Sequence, residues 1–177
     1  LPQALMLAGA EGAGKLWLLR ALGSRLLCGS PVAGTACGAC KSCELLKAGS
    51  HSDLMALHPE EGSRQIRIEQ VRKLIQFSGK TPALGNRKVL LIGPAELMNS
   101  NAANALLKSL EEPSDSTTLL LSSNNLSALP ATIRSRCQIV AHPPPAAEAC
   151  AQWLQQYVGD ATAAKQALAL FPGQPLL

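Results

Sequence analysis

An α/β fold built on a parallel sheet is the architecture this sequence predicts, and three observations predict it. The apolar run Leu5-Met6-Leu7-Ala8 leads directly into Gly9-Ala10-Glu11-Gly12-Ala13-Gly14-Lys15. A buried strand, a glycine-rich loop and a helix start in that order are the context of the phosphate loop, G-x-x-x-x-G-K. Second, Lys88-Val89-Leu90-Leu91-Ile92 and residues 117–121 are near-continuous apolar runs, as expected of strands covered on both faces. Third, segments of helical periodicity lie between them, the alternation that builds parallel sheets.

Length and composition bound the possibilities. The 177 residues fit one domain, or one domain and a small appendix. Hydrophobic residues make up 47% and aromatics only 3%, so the core is aliphatic. So few aromatic faces argue against a base-stacking platform for single strands. The net charge of +4 permits contact with nucleic acid without demanding it. No apolar run approaches the ~20 residues of a membrane span. Leu1-Pro2-Gln3 has no basic leader region. The chain reads as trimmed at both ends, and a cytoplasmic location with no membrane is the expectation.

The loop's chemistry is legible residue by residue. Gly9, Gly12 and Gly14 let successive backbone N–H groups turn inward around a phosphate. The helix opening at Lys15 adds its positive dipole end, and the lysine reaches the outer phosphates. The motif's next residue is Ser or Thr, whose hydroxyl holds Mg²⁺; here it is Leu16. Such a loop still cradles an anion, with one metal ligand missing. A glycine-rich turn with no ligand is the simpler reading. Leu18, Leu19, Leu22, Leu26 and Leu27 carry a helix over 16–27, and Cys28-Gly29-Ser30-Pro31 ends it.

Cys28, Cys37, Cys40 and Cys43 follow as C-x8-C-x2-C-x2-C. Three thiols within seven residues cannot all pair with one another. Two C-x-x-C steps on a tight turn instead aim sulfurs at one ion, and Cys28 completes a four-sulfur shell. A closed shell of four cysteines has no open position, so its zinc is structural. It folds a short insert over 28–43 that lacks a core. An iron–sulfur cluster is the rival, although that pattern wants its next cysteine downstream, before Pro. Cys137 and Cys150 read as small buried hydrophobes. His51 is a further candidate ligand, but four thiols already fill the shell.

Residues 44–48 read as a short helix, 54–57 as a strand and 58–65 as a loop. A helix over 66–77 carries Ile68, Val71, Leu74 and Ile75 on one stripe, with Arg64, Arg67, Arg72 and Lys73 nearby. That cluster is a solvated face, or a surface for DNA phosphates or an acidic partner. The strand 88–92 ends in Gly93-Pro94, where a working phosphate-loop ATPase carries an acidic pair that binds Mg²⁺ and activates water. Glu96 stands two residues further on. A second part of the hydrolytic apparatus is therefore missing. Asn99 or Ser100 caps a helix that buries Ala103, Leu106, Leu107 and Leu110 and stops at Pro113. The strand 117–121 closes on Ser122-Ser123-Asn124-Asn125, a turn whose side chains are placed to face a phosphate. A short helix 131–134, Ser135-Arg136-Cys137 and a last strand 138–141 follow. His142-Pro143-Pro144-Pro145 is a stiff linker to two helices, 146–157 and 161–170.

Four of these features together resemble one family: the delta-prime subunits of the bacterial DNA polymerase III clamp loader, within the AAA+ superfamily. They are the loop at Gly9 to Lys15, the four-cysteine insert, Asn104-Ala105-Leu106-Leu107-Lys108-Ser109-Leu110-Glu111-Glu112-Pro113, and Ser135-Arg136-Cys137. The resemblance implies a RecA-like AAA+ domain over 1–143, with the zinc module at about 28–43, and a C-terminally truncated helical lid over 144–177. It further implies a non-hydrolysing stator in a five-subunit ring that loads the sliding clamp onto primer-template DNA at the replisome. The stator lies between delta and a gamma/tau subunit. Arg136 then projects at the neighbouring subunit's ATP. Zn²⁺ at Cys28, Cys37, Cys40 and Cys43 is structural, and ATP at the chain's own loop is doubtful.

Two rival classes remain. An ATP-hydrolysing subunit of the gamma/tau type requires Lys15 to suffice beside Leu16 and Gly93-Pro94. A zinc-dependent DNA-binding module is weakened by the mild charge and few aromatics.

Overall fold

Side chains alternate strictly across one parallel sheet, and this alternation sorts the helices into two layers. In a computed structural model of the chain, residues 2–171 and 173–176 are described. The expected lid thus extends to residues, 172 and 177, that lie outside them. The strands are β1 (Ala4–Ala8), β2 (Leu54–Leu57), β3 (Lys88–Ile92), β4 (Thr117–Ser123) and β5 (Gln138–Ala141). They pair in the order β2-β3-β4-β1-β5, every neighbour parallel. Parallel neighbours need crossovers, which the helices supply.

On one face, Leu5, Leu7, Val89, Leu91 and Leu120 meet Leu19 and Leu27 of α1 (Lys15–Leu27). On the other, Met6, Leu90, Ile92, Leu119 and Leu121 meet α3 (Ile68–Ser78), α4 (Ser100–Glu111) and α5 (Ala131–Arg134) through Val71, Leu74, Leu106, Leu110 and Ile133. Each fully buried aliphatic side chain of this kind contributes roughly 1.5–3 kcal/mol. The aliphatic core is therefore ample without aromatics. α2 (Lys41–Lys47) follows the cysteine insert. α6 (Ala147–Val158) and α7 (Ala161–Leu170) pack on each other beyond the proline linker. As expected, the side chain of Asn99 caps α4, accepting from the Ala102 N–H at 2.8 Å.

Several boundaries differ from the sequence expectation for local reasons. α2 begins at Lys41, not 44, and so takes Cys43 into its first turn. β4 runs on through Ser122 and Ser123, both buried. Ile66 precedes its helix and instead bridges Met98.

One carboxylate ties the β2 edge to the loop before β3. Asp53 is fully buried and accepts from the N–H groups of Ala83 at 2.7 Å and Leu84 at 2.8 Å. Lys88 Nζ lies 3.5 Å from it and 3.9 Å from the centroid of the Phe77 ring. Burial pushes the Asp53 pKa up, but the two amide donors and Lys88 together outweigh it, and the carboxyl titrates below its ordinary value. A folded pKa below the unfolded one, about 3.9, means stabilisation that is complete above that pH. It is lost as pH falls through the folded value. Asp53→Asn is expected to cost about 3 kcal/mol at pH 7, since it leaves Lys88 buried without its charge partner. Urea titrations from pH 7 to pH 3 should show the gap to wild type narrowing below about pH 4. A gap independent of pH would contradict this account.

Candidate functional site

β1 delivers Gly9 to the C-terminal edge of the sheet, where open α/β sheets bind their ligands. Gly12 and Gly14 have φ of 70° and 91°, left-handed values that a Cβ makes costly. Gly14 is the N-cap of α1. Lys15 is only 4% exposed, and its Nζ donates to the carbonyls of Gly9, at 2.9 Å, and Ala10. Burial lowers its pKa, against the opposing pull of Glu96 and Glu11. Two further loop carbonyls are also engaged. Leu176 N–H donates to Gly12 at 3.3 Å, and His142 Nε2 donates to Ala13 at 2.9 Å. The loop is thus braced by the linker and by the segment after α7, contacts that its own motif does not announce. Bracing is close: a Cβ on Gly9 would lie 2.2 Å from the His142 carbonyl oxygen.

Leu16 and Gly93, the two departures from a hydrolytic motif, meet in space. A Cβ on Gly93 would lie 3.9 Å from Leu16 Cδ1 and 2.1 Å from Ser122 Oγ. The end of β3 therefore has no room for an acidic side chain while Ser122 stays in place. Beside Lys15 a cavity of ≈ 230 Å³ is lined by Glu11, Leu16, Trp17, Gly93, Ser122 and Asn124, among others. Glu11 is the only carboxylate among its described lining residues. Glu96 turns instead to β4, where its Oε1 accepts from Asn124 N–H at 2.9 Å. The arrangement can hold an anion through loop amides and Lys15, but places little around it to hold a magnesium ion.

The four cysteines converge as their spacing predicts. Their sulfurs all lie within 4.8 Å of one another, with Cys28–Cys40 and Cys37–Cys43 both at 3.9 Å. A tetrahedron with 2.3 Å metal–sulfur bonds has edges of about 3.8 Å, so the set fits one soft ion. Backbone N–H groups point at the sulfurs: Cys37 donates to Cys28 at 3.3 Å and Cys40 to Cys37 at 3.4 Å. Such donors lower the Cys28 pKa and bring Cys40 down to about 6, whereas burial pushes Cys43 up to about 12. His51 stands apart from this group: its Nδ1 accepts from Asp53 N–H at 3.0 Å. Cys137 packs against the core, and burial raises its pKa to about 11, an inert thiol.

Arg136 lies at the opposite edge of the sheet. It precedes β5 by two residues; Gln138, the first residue of β5, pairs with Leu5 of β1, itself about 13 Å of strand away from the loop after β1. It cannot serve its own loop. Its guanidinium is exposed, pairs with Glu111 at 2.6 Å and donates to the Thr132 carbonyl at 3.0 Å. The local carboxylate is the partner seen within the chain. Arg64, Arg67, Arg72 and Lys73 are exposed along α3 and its approach, with no ion pair among the described residues.

With this geometry in hand, the relatives are informative. A family model described as "DNA polymerase III, delta subunit" matches residues 1–146. The delta' subunit of DNA polymerase III from Pseudomonas aeruginosa is 51% identical over 98% of this chain and 53% of its own length.

The chain belongs to the delta-prime family of DNA polymerase III subunits.

Another delta-prime relative, from Escherichia coli, is 36% identical over 97% of the chain and 52% of its own length. The Escherichia coli tau subunit is 34% identical over only 76% of the chain and 20% of its own length. The chain therefore spans about half the length of the delta-prime relatives it matches. Among solved structures, a DNA polymerase III gamma subunit-related protein from Thermotoga maritima superposes with a TM-score of 0.64. It is 22% identical over 95% of this chain and 50% of that one. The RuvB Holliday junction branch migration motor of the same organism gives 0.58 at 14% identity, over 98% and 50%. These likenesses show the fold alone, a parallel sheet flanked by helices. No helix among the described residues is long and apolar enough to cross a membrane.

Among the described residues of this delta-prime chain, the four-thiol cluster is the group of ligand side chains that could hold a metal ion. Cys43→Ser, at the most buried thiol of the cluster, is expected to abolish metal retention after gel filtration. Amide exchange should accelerate over residues 28–47, while β1, β3 and β4 stay protected. Unchanged protection in the insert would show that its fold needs no metal.

Proposed function

We propose that this chain is the nucleotide-binding-like part of a non-hydrolysing clamp-loader subunit, a stator that helps place the sliding clamp on primer-template DNA in replication. Its partners are the delta and gamma/tau subunits. The observation that carries the reading is the placement of Arg136, exposed, at the sheet edge opposite its own loop. A guanidinium there can meet only a nucleotide held by another subunit, where it stabilises charge on the transferring phosphoryl group.

The loop side supports the same reading. Leu16 replaces the metal-binding hydroxyl, Gly93 replaces the acid, and the two abut. An ATP-hydrolysing role of the gamma/tau type would need magnesium held without either. The retained Gly14 and Lys15 keep the means to bind a phosphate without turnover. Residues 1–143 form the AAA+ unit and 144–177 the start of the lid. The ion at Cys28, Cys37, Cys40 and Cys43 is a structural zinc, since four thiolates close its shell. Through its complex the chain works at the replisome.

Two measurements test this. In a loader reconstituted from full-length subunits with clamp and primed DNA, Arg136→Ala is expected to lower ATP turnover by roughly 10³-fold at the site it serves. Lys15→Ala should change total turnover little. The reverse pattern would make this subunit an ATPase. Elemental analysis should give about one zinc per chain; a brown, visibly absorbing preparation would point to iron–sulfur instead.

A further inference from the structure

Glu111 and Arg136 belong to the two motifs that most narrow this chain's family, and the fold brings them into contact. Glu111 closes α4 within Leu110-Glu111-Glu112-Pro113, and Arg136 follows α5 within Ser135-Arg136-Cys137. Arg136 Nη2 lies 2.6 Å from Glu111 Oε1. Its Nη1 donates to the Thr132 carbonyl at 3.0 Å, with Ser135 Oγ a marginal neighbour at 3.5 Å. Both anchors sit on elements fixed to the core, since Leu106 and Leu110 of α4 share a buried cluster with Ile133 of α5.

A guanidinium presents five N–H donors in one rigid plane and keeps its charge at any physiological pH. Two bonds from two directions fix that plane and leave the remaining donors uncommitted. The side chains of Arg136 and Glu111 are 34% and 49% exposed, and an ion pair this wet adds little to stability. Orientation is what it can supply. A long, free arginine would lose rotamer freedom on reaching a phosphate. One already held loses less, and a reacting group displaced by about 1 Å forfeits much of its catalytic effect.

We propose that Glu111 is the positioning residue for Arg136, holding the guanidinium in the plane in which it meets the phosphates of a nucleotide bound by the adjoining subunit. The inference rests on the trans role of Arg136 given above. In the free chain the pair keeps the arginine ordered. In the assembled ring the carboxylate stays bonded behind it while the uncommitted donors face the nucleotide.

The test uses the complete complex of full-length subunits, with kcat and KM for ATP measured for wild type, Glu111→Ala, Glu111→Gln, Arg136→Ala and the Glu111→Ala/Arg136→Ala pair. Glu111→Ala is expected to lower kcat roughly tenfold with KM unchanged. Glu111→Gln, whose amide oxygen still accepts the bond, should recover most of that loss. The double variant should be no slower than Arg136→Ala, because residues acting as one unit are not additive. Melting temperatures of the variants serve as the folding control. A loss with Arg136→Ala but none with Glu111→Ala would overturn the positioning role and leave the trans arginine standing. Losses that multiply in the double variant would also overturn it. No loss with Arg136→Ala would remove the trans reading itself, and the positioning role with it.

Discussion

The parallel pairing of β1 with β4 on one side and β5 on the other is the constraint from which the rest of this structure follows. Because all three strands run the same way, what immediately follows β1 and β4 lies at one edge, and what immediately precedes β5 lies at the other. The glycine loop, Gly93 and Ser122 gather at the first edge. Glu111 and Arg136 gather at the second. The glycine-rich loop and Arg136 are thereby set at opposite ends of the strands.

Much of this was legible in the sequence, and the legible parts share a cause. β3, α5, β5 and α7 have the bounds that their apolar runs and flanking prolines imply, because periodicity and chain-breakers are local signals. The cysteine spacing announced the cluster for the same reason: its ligands lie within sixteen residues, Cys28 to Cys43. The start of α2 was not legible, since Lys41 and Ser42 are polar and their conformation is set by the thiols on either side. Ser122 and Ser123 read as a turn because they are polar, yet pairing with Leu7 and Ala8 keeps them in β4.

At the candidate sites the missed residues are those that act across the fold. The motif identifies Gly14 and Lys15 but says nothing of His142, which reaches Ala13 from 129 residues away, or of Leu176 over Gly12. Asp53 stands in no motif, and only its burial against Ala83, Leu84 and Lys88 reveals what it holds. Arg136 was legible as a motif residue. Its carboxylate partner was visible only as part of a helix end.

The contact between Leu16, Gly93 and Ser122 also bears on how such a chain changes over generations. A side chain at position 93 brings a Cβ to 2.1 Å from the Ser122 hydroxyl, so that hydroxyl must turn away before an acid can be accommodated there. Restoring a hydroxyl at position 16 alone gains no second ligand. Positions 16, 93 and 122 are coupled in this way, so a change at one sets what the others can accept.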